Sequence, residues 1–159
     1  MAGYGTDDDF AAWLNVNGYV LPSGAPTPAV LRQRGSDYID GLYGPRFGGS
    51  PADGYNQERA WPRNCAYFGC SEIPSDVVPR AVIQASYAAA YYEATNLGGL
   101  SAAVTAAGAV KRERVEGAVE VEYFQGSGSA IENATVVLSS VEGLLAPLFA
   151  APTPAIFAV

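Results

Sequence analysis

The chain contains no histidine. The commonest general base at neutral pH and the commonest metal ligand are therefore missing. No Ser-His-Asp or Cys-His relay can be assembled within one copy. Cysteine is almost as scarce, with only Cys65 and Cys70. Two thiols without other good ligands do not complete a structural zinc site, so reduced or buried thiols are expected rather than a disulfide. Basic residues are few: 9 Lys and Arg stand against 16 Asp and Glu, a formal net charge of -7. Such a balance repels phosphate and argues against tight nucleic-acid binding, while leaving room for a local basic patch. Asp7, Asp8 and Asp9 are consecutive, whereas a calcium loop needs alternating acids, a glycine turn and a closing glutamate. With no phosphate loop either, the expectation is a protein that is not an enzyme and carries no metal or cofactor.

Long apolar runs are also lacking. A membrane helix takes about 20 apolar residues, and the charge-free stretch from Gly143 to Val159 is shorter and interrupted by Pro147, Pro152 and Pro154. The opening residues Met1 to Gly5 have neither the basic start nor the apolar run of a signal peptide, and Gly3 is out of place for myristoylation. Synthesis in a cytoplasm and no membrane contact are expected.

What is present suits a small packed protein. The 159 residues, 49% of them hydrophobic, fit one core, while 18 Gly and 11 Pro predict generous loops. Thr6 caps a first helix whose opening turn carries the three aspartates; Phe10, Trp13 and Leu14 form its apolar stripe and Gly18 stops it. Thr27 and Pro28 open a second helix with Val30, Leu31, Tyr38, Ile39 and Leu42 on one face, and Arg32 and Gln33 mostly off it. Residues 47–54 are loop, and the cysteine-bearing stretch from Asn64 to Glu72 is irregular. Ser75 or Asp76 is expected to cap a long alanine-rich helix that tolerates Pro79 near its start and ends at Gly98-Gly99.

Beyond Ser101 the period changes. Two alternating runs around Glu116-Gly117, one ending at Val115 and the other starting at Ala118, predict a β-hairpin over about 107–124. Lys111, Arg112 and Arg114 sit on one arm and Glu120 and Glu122 on the other, so opposite charges can face each other. A Gly/Ser linker from Gln125 to Ser129 leads to a short helix capped by Ser139 or Ser140. The fold class expected is mainly α: a small helical bundle with an inserted β-hairpin and an extended C-terminal arm, divided into a domain over 1–124 and a linker, helix and docking arm over 125–159. The apolar arm either folds back on its own core or docks on another chain. Docking is the reading taken here, because apolar termini that leave a domain need a neighbour to cover them. Leu144, Leu145, Leu148, Phe149, Ile156, Phe157 and Val159, with the basic Lys111, Arg112 and Arg114, are the candidate interface residues. Arg59, Trp61 and Arg63 form either a stacking and phosphate-contact patch for single-stranded nucleic acid or a core tryptophan flanked by paired arginines, the second being preferred.

Taken in order, several segments resemble one family. They are Ser36-Asp37-Tyr38-Ile39-Asp40, then Tyr43-Gly44-Pro45-Arg46-Phe47, then Gln57-Glu58-Arg59-Ala60-Trp61-Pro62-Arg63. Ile73-Pro74 before the alanine-rich helix follows, then Val110-Lys111-Arg112-Glu113-Arg114-Val115, Glu120-Val121-Glu122-Tyr123 and Val141-Glu142-Gly143-Leu144-Leu145-Ala146-Pro147-Leu148. Over roughly residues 4–149 this order is similar to the head-to-tail adaptor (connector) proteins of tailed bacteriophages, some of which carry a DnaT-like single-stranded-DNA-binding label. The resemblance implies a structural protein of the virion neck, a dodecameric ring between the portal protein and a tail or neck protein, with genomic DNA passing through its lumen without specific binding. The alternative is a single-stranded-DNA-binding, replication-type module.

Overall fold

The computed structural model describes residues 2–101, 113–114, 120–121 and 136–150. The chain divides into two compact units, one made of Met1–Leu100 with Val137–Val159 and the other of Ser101–Val136. The last helix belongs with the first hundred residues.

In the larger unit α1 spans Asp7–Val16, α2 Pro28–Tyr43, α3 Arg80–Thr95 and α4 Ser139–Leu145. The start of α1 is capped by Thr6, whose Oγ1 accepts from Asp9 N at 3.1 Å and donates to Asp9 Oδ2 at 2.7 Å. The helix stops at Gly18, whose φ of +69° no side-chain-bearing residue adopts without strain. The α2 boundaries follow Pro28 and the Gly44-Pro45 break, although Thr27 makes no side-chain cap. The α3 start differs from the sequence expectation. Residues Pro74 to Val77 close a turn (Val77 N to Pro74 O, 3.0 Å), and the helix begins only at Arg80 with Pro79 as N-cap. Pro79 cannot donate a backbone hydrogen bond and biases Val78 towards extended geometry, so the helical ladder starts after it.

The expectation of a mainly α fold does not hold. Helix accounts for about half of the described chain, and antiparallel ladders share the unit with it. Between α2 and α3, β1 (Ser50–Pro51) pairs with β2 (Arg63–Asn64), and β3 (Ala66–Phe68) pairs with β4 (Ser71–Ile73). In the second unit β5 (Glu113–Arg114) pairs with β6 (Glu120–Val121), which sets Arg114 opposite Glu120. The 50–73 ladders are too short for a period-2 apolar signal. They are held by backbone contacts, such as the seat of Gly49 (φ +72°), where a Cβ would lie 2.1 Å from Asn64 O.

Two apolar clusters fill the larger unit. One joins Ile39 and Tyr43 of α2, Val82, Ala85 and Ala89 of α3, Val141 and Leu145 of α4, and Phe47, Trp61 and Leu148 from the connecting segments. The other seats Phe10 and Leu14 of α1 on Leu31, Tyr87, Ala90 and Ala94. The α2 face that is buried runs through Leu31, Arg32, Gly35, Ser36, Ile39 and Tyr43, while Val30 is exposed. The expected stripe thus shifts, and it takes in Arg32. Closeness of α2 and α3 rests on Gly35, where a Cβ would lie 2.3 Å from Ser86 O and 2.8 Å from Ala90 N. Substituting Gly35→Val should force the helices apart and destabilise the fold by at least about 2 kcal/mol, read as a lowered urea midpoint with an unchanged m-value.

Candidate functional site

Six arginines lie in the larger unit, and five are consumed by the fold. Arg32, nearly buried, binds Asp7 through Nε at 2.7 Å and donates from Nη1 to the carbonyls of Gly3, Tyr4 and Gly5 at 3.1, 3.2 and 2.7 Å. It thereby fastens the N-terminal segment, whose Tyr4 N–H donates to Ser36 Oγ at 2.8 Å. Arg34 pairs at 2.9 Å with the buried Glu93, which also accepts the backbone N–H groups of Gly98 and Leu100 and so shapes the end of α3. Arg46 pairs with Glu142 at 2.6 Å and lies 4.0 Å from the Phe149 ring centroid. The guanidinium bonded to it holds the Glu142 carboxyl below the ordinary glutamate range.

The sequence-nominated trio Arg59, Trp61 and Arg63 is brought together, but inside the fold. Trp61 is only 2% exposed and packs edge-on against Phe47. Arg59 bridges Asp37 at 2.7 Å and Asp40 at 3.1 Å. Tyr4 Oη donates to Asp40 at 2.5 Å, and burial raises the Asp40 pKa against the opposing pull of the Tyr4 and Arg59 hydrogen bonds. Arg63 donates to the carbonyls of Gly48, Ala60 and Gly49 at 2.8, 3.1 and 2.8 Å. Burial lowers its pKa. It is the internal clamp of the β1–β2 loop, with no guanidinium face left for a ligand. Arg63→Ala would strand these carbonyls and should lower stability by several kcal/mol; urea unfolding beside that of wild type measures the loss.

The nominated interface residues are dispersed. Leu145 and Leu148 are covered by the chain's own core. Phe149 stacks on Tyr43 at 5.9 Å, bridges to Phe47, and is followed by Ala150 N donating to Arg46 O at 2.8 Å. Up to Ala150, then, the C-terminal segment folds back on its own chain. Leu144 is half-buried in a groove wall. Lys111, Arg112, Ile156, Phe157 and Val159 lie outside the described residues, and Arg114 is placed only by its register with Glu120. Cys65 and Cys70 are unpaired and exposed, so burial is not their state. Strand β3 separates them by about 10 Å, too far for a disulfide.

A groove that the sequence did not reveal lies on the opposite use of the same helices. Strand-free and about 920 Å³ in volume, it has α3 as its floor, α1 and the segment after Gly18 on one side, and Leu138, Ser140 and Leu144 on the other. Its floor is a stripe of α3, Arg80, Gln84, Tyr87, Tyr91 and Thr95, at three- and four-residue spacing. Tyr87 is buried, its hydroxyl held by the backbone of Thr6. Above it the rings form a continuous strip. Trp13 lies 5.5 Å from Tyr19, and Tyr19 stacks on Tyr91 at 4.3 Å with an interplanar angle of 8°. Tyr19 remains 39% exposed. At the far end stands exposed Arg80, the one arginine of this unit with no carboxylate or carbonyl partner among the described residues. It opens α3, where the helix dipole disfavours a cation, so its position is not explained by helix stability. The partner ring from the segment after Gly18 was not legible in the sequence.

A unit of helices and short antiparallel ladders, with five of its arginines bonded within the fold and an aromatic groove beside α3, is the class that fold and site define. The family described as "Putative DnaT-like ssDNA binding protein" matches residues 3–159, and the chain belongs to that family. No curated protein and no solved structure matches it.

Proposed function

We propose that the protein is a single-stranded-DNA-binding module and that the aromatic groove beside α3 is its strand-binding face. The observation that carries this reading is the ring strip Trp13–Tyr19–Tyr91 with unpaired Arg80 in the same groove. Exposed rings stack bases whatever their sequence, and a cation nearby meets the backbone phosphate. The family description supports the same reading. Arg59, Trp61 and Arg63 are not its contacts, because their side chains are spent inside the fold. Trp13 borders the groove and serves as an intrinsic reporter. Titration with a dT oligonucleotide should quench its fluorescence, whereas a blunt duplex of the same length should leave it unchanged. Equal response to duplex and single strand would refute the assignment.

A second reading is favoured by charge: the net -7 suits a wall past which DNA slides. In that reading the protein is a ring-forming head-to-tail adaptor of a phage neck, captured by a portal protein through the charge-free residues that follow Ala150. Removing residues 151–159 should then leave the fold intact by circular dichroism but abolish co-sedimentation with the portal. Undiminished co-sedimentation of the truncated chain would count against it.

A further inference from the structure

Resting on the single-strand reading above, we infer that the groove holds DNA mainly by stacking on its bases, with a single phosphate contact at Arg80. The known inventory of charge leads there. Arg32, Arg34, Arg46, Arg59 and Arg63 are all engaged within the fold, which leaves Arg80 as the groove's only cation among the described residues, and Asp9 also lines it. A binding face that neutralised many phosphates would need several free basic side chains. This one offers one, partly offset by a carboxylate. The rings Trp13, Tyr19 and Tyr91 by contrast form a contiguous strip. Tyr19 is 39% exposed, and one of its faces is stacked on Tyr91 at 4.3 Å with Trp13 tilted against it at 5.5 Å, so a base that reaches Tyr19 meets a ring held in place by its neighbours. From Arg80 to Thr95 the α3 floor extends about 22 Å, which suits a segment at the short end of the ~4–16 nucleotides that single-strand folds cover.

The ligand class is therefore an unpaired oligonucleotide with accessible bases, recognised without regard to sequence, and bound with little dependence on salt. One neutralised phosphate on a single strand gives a slope of about -0.7 in log K against log salt. Raising salt from about 50 to 200 mM should then weaken binding only about three-fold. Base–ring stacking implies that Tyr19→Ala costs at least about five-fold in affinity. Tyr19 lies on an exposed turn, so its removal leaves the core rings in place. Arg80→Ala should flatten the salt slope towards zero with a smaller loss of affinity.

The test uses the full chain and fluorescence anisotropy with three labelled probes of one length: a dT oligomer, an abasic deoxyribose-phosphate oligomer, and a duplex. Tight dT binding, abasic binding weaker by about ten-fold or more, and a slope near -0.7 support stacking. If dT and abasic probes bind alike, or if the dT slope is steeper than about -2 and Tyr19→Ala binds as wild type does, the stacking inference fails while single-strand binding itself survives. If no probe binds at low salt, both fall together. Near-ultraviolet circular dichroism of each variant verifies the fold, and Tyr19→Phe, which keeps the ring, should restore wild-type affinity.

Discussion

The contact on which the larger unit depends is the close approach of α2 and α3 at Gly35. With no side chain there, the backbone of α3 around Ser86 and Ala90 comes within van der Waals reach of α2. That approach aligns Ile39 and Tyr43 with Val82, Ala85 and Ala89 to make one core, and Leu31 with Tyr87, Ala90 and Ala94 to make the other. Helix α1 closes the second and α4 the first. The groove is the residue of this arrangement. Two helices lie against α3 from different sides, and the strip of α3 between them stays open.

Electrostatics follows the same division between inside and outside. A chain with few cations has placed several of them where they hold the fold together: Arg32 on the carbonyls of the first residues, Arg63 on the β1–β2 loop, Arg59 across two aspartates of α2. Charged hydrogen bonds to carbonyls are stronger than neutral ones, and an arginine can serve several at once. Among the described residues of the larger unit, Arg80 is the arginine left without such a partner.

How much of this was legible in the sequence depended on the range of the forces involved. The first two helices were readable because their signals are local: Thr6 with the aspartates, Pro28 with Gly44-Pro45. The hairpin was readable from alternation, and the register of Arg114 with Glu120 agrees with it. The start of α3 was misplaced because Ser75 and Asp76 offered caps while Pro79 decided the geometry. The 50–73 ladders, and with them the fold class, were hidden because Arg63 and Gly49 fix them through contacts with backbone far along the chain. Arg32 was placed off the buried face for a similar reason: its partners are carbonyls of residues 3–5, which composition and periodicity do not register. Of the nominated site, Trp61 is buried and Arg59 pairs with carboxylates as expected, but Arg63 binds backbone carbonyls instead; the groove was not foreseen, since it needs Tyr19 of one loop to meet Tyr91 of a helix 72 positions away.

The clasp between Phe47 and Phe149, with Val141, Leu145 and Leu148 beneath it, bears on how the polypeptide emerges from the ribosome. Helices α1 to α3 can assemble as soon as they leave the exit tunnel, yet the apolar seat for α4 stays uncovered until the intervening unit and α4 have been made. At synthesis rates of roughly 5–20 residues per second that interval lasts about 2–10 s. For that time the seat formed by Tyr43, Phe47 and Val82 lacks the cover that its own C-terminal helix supplies.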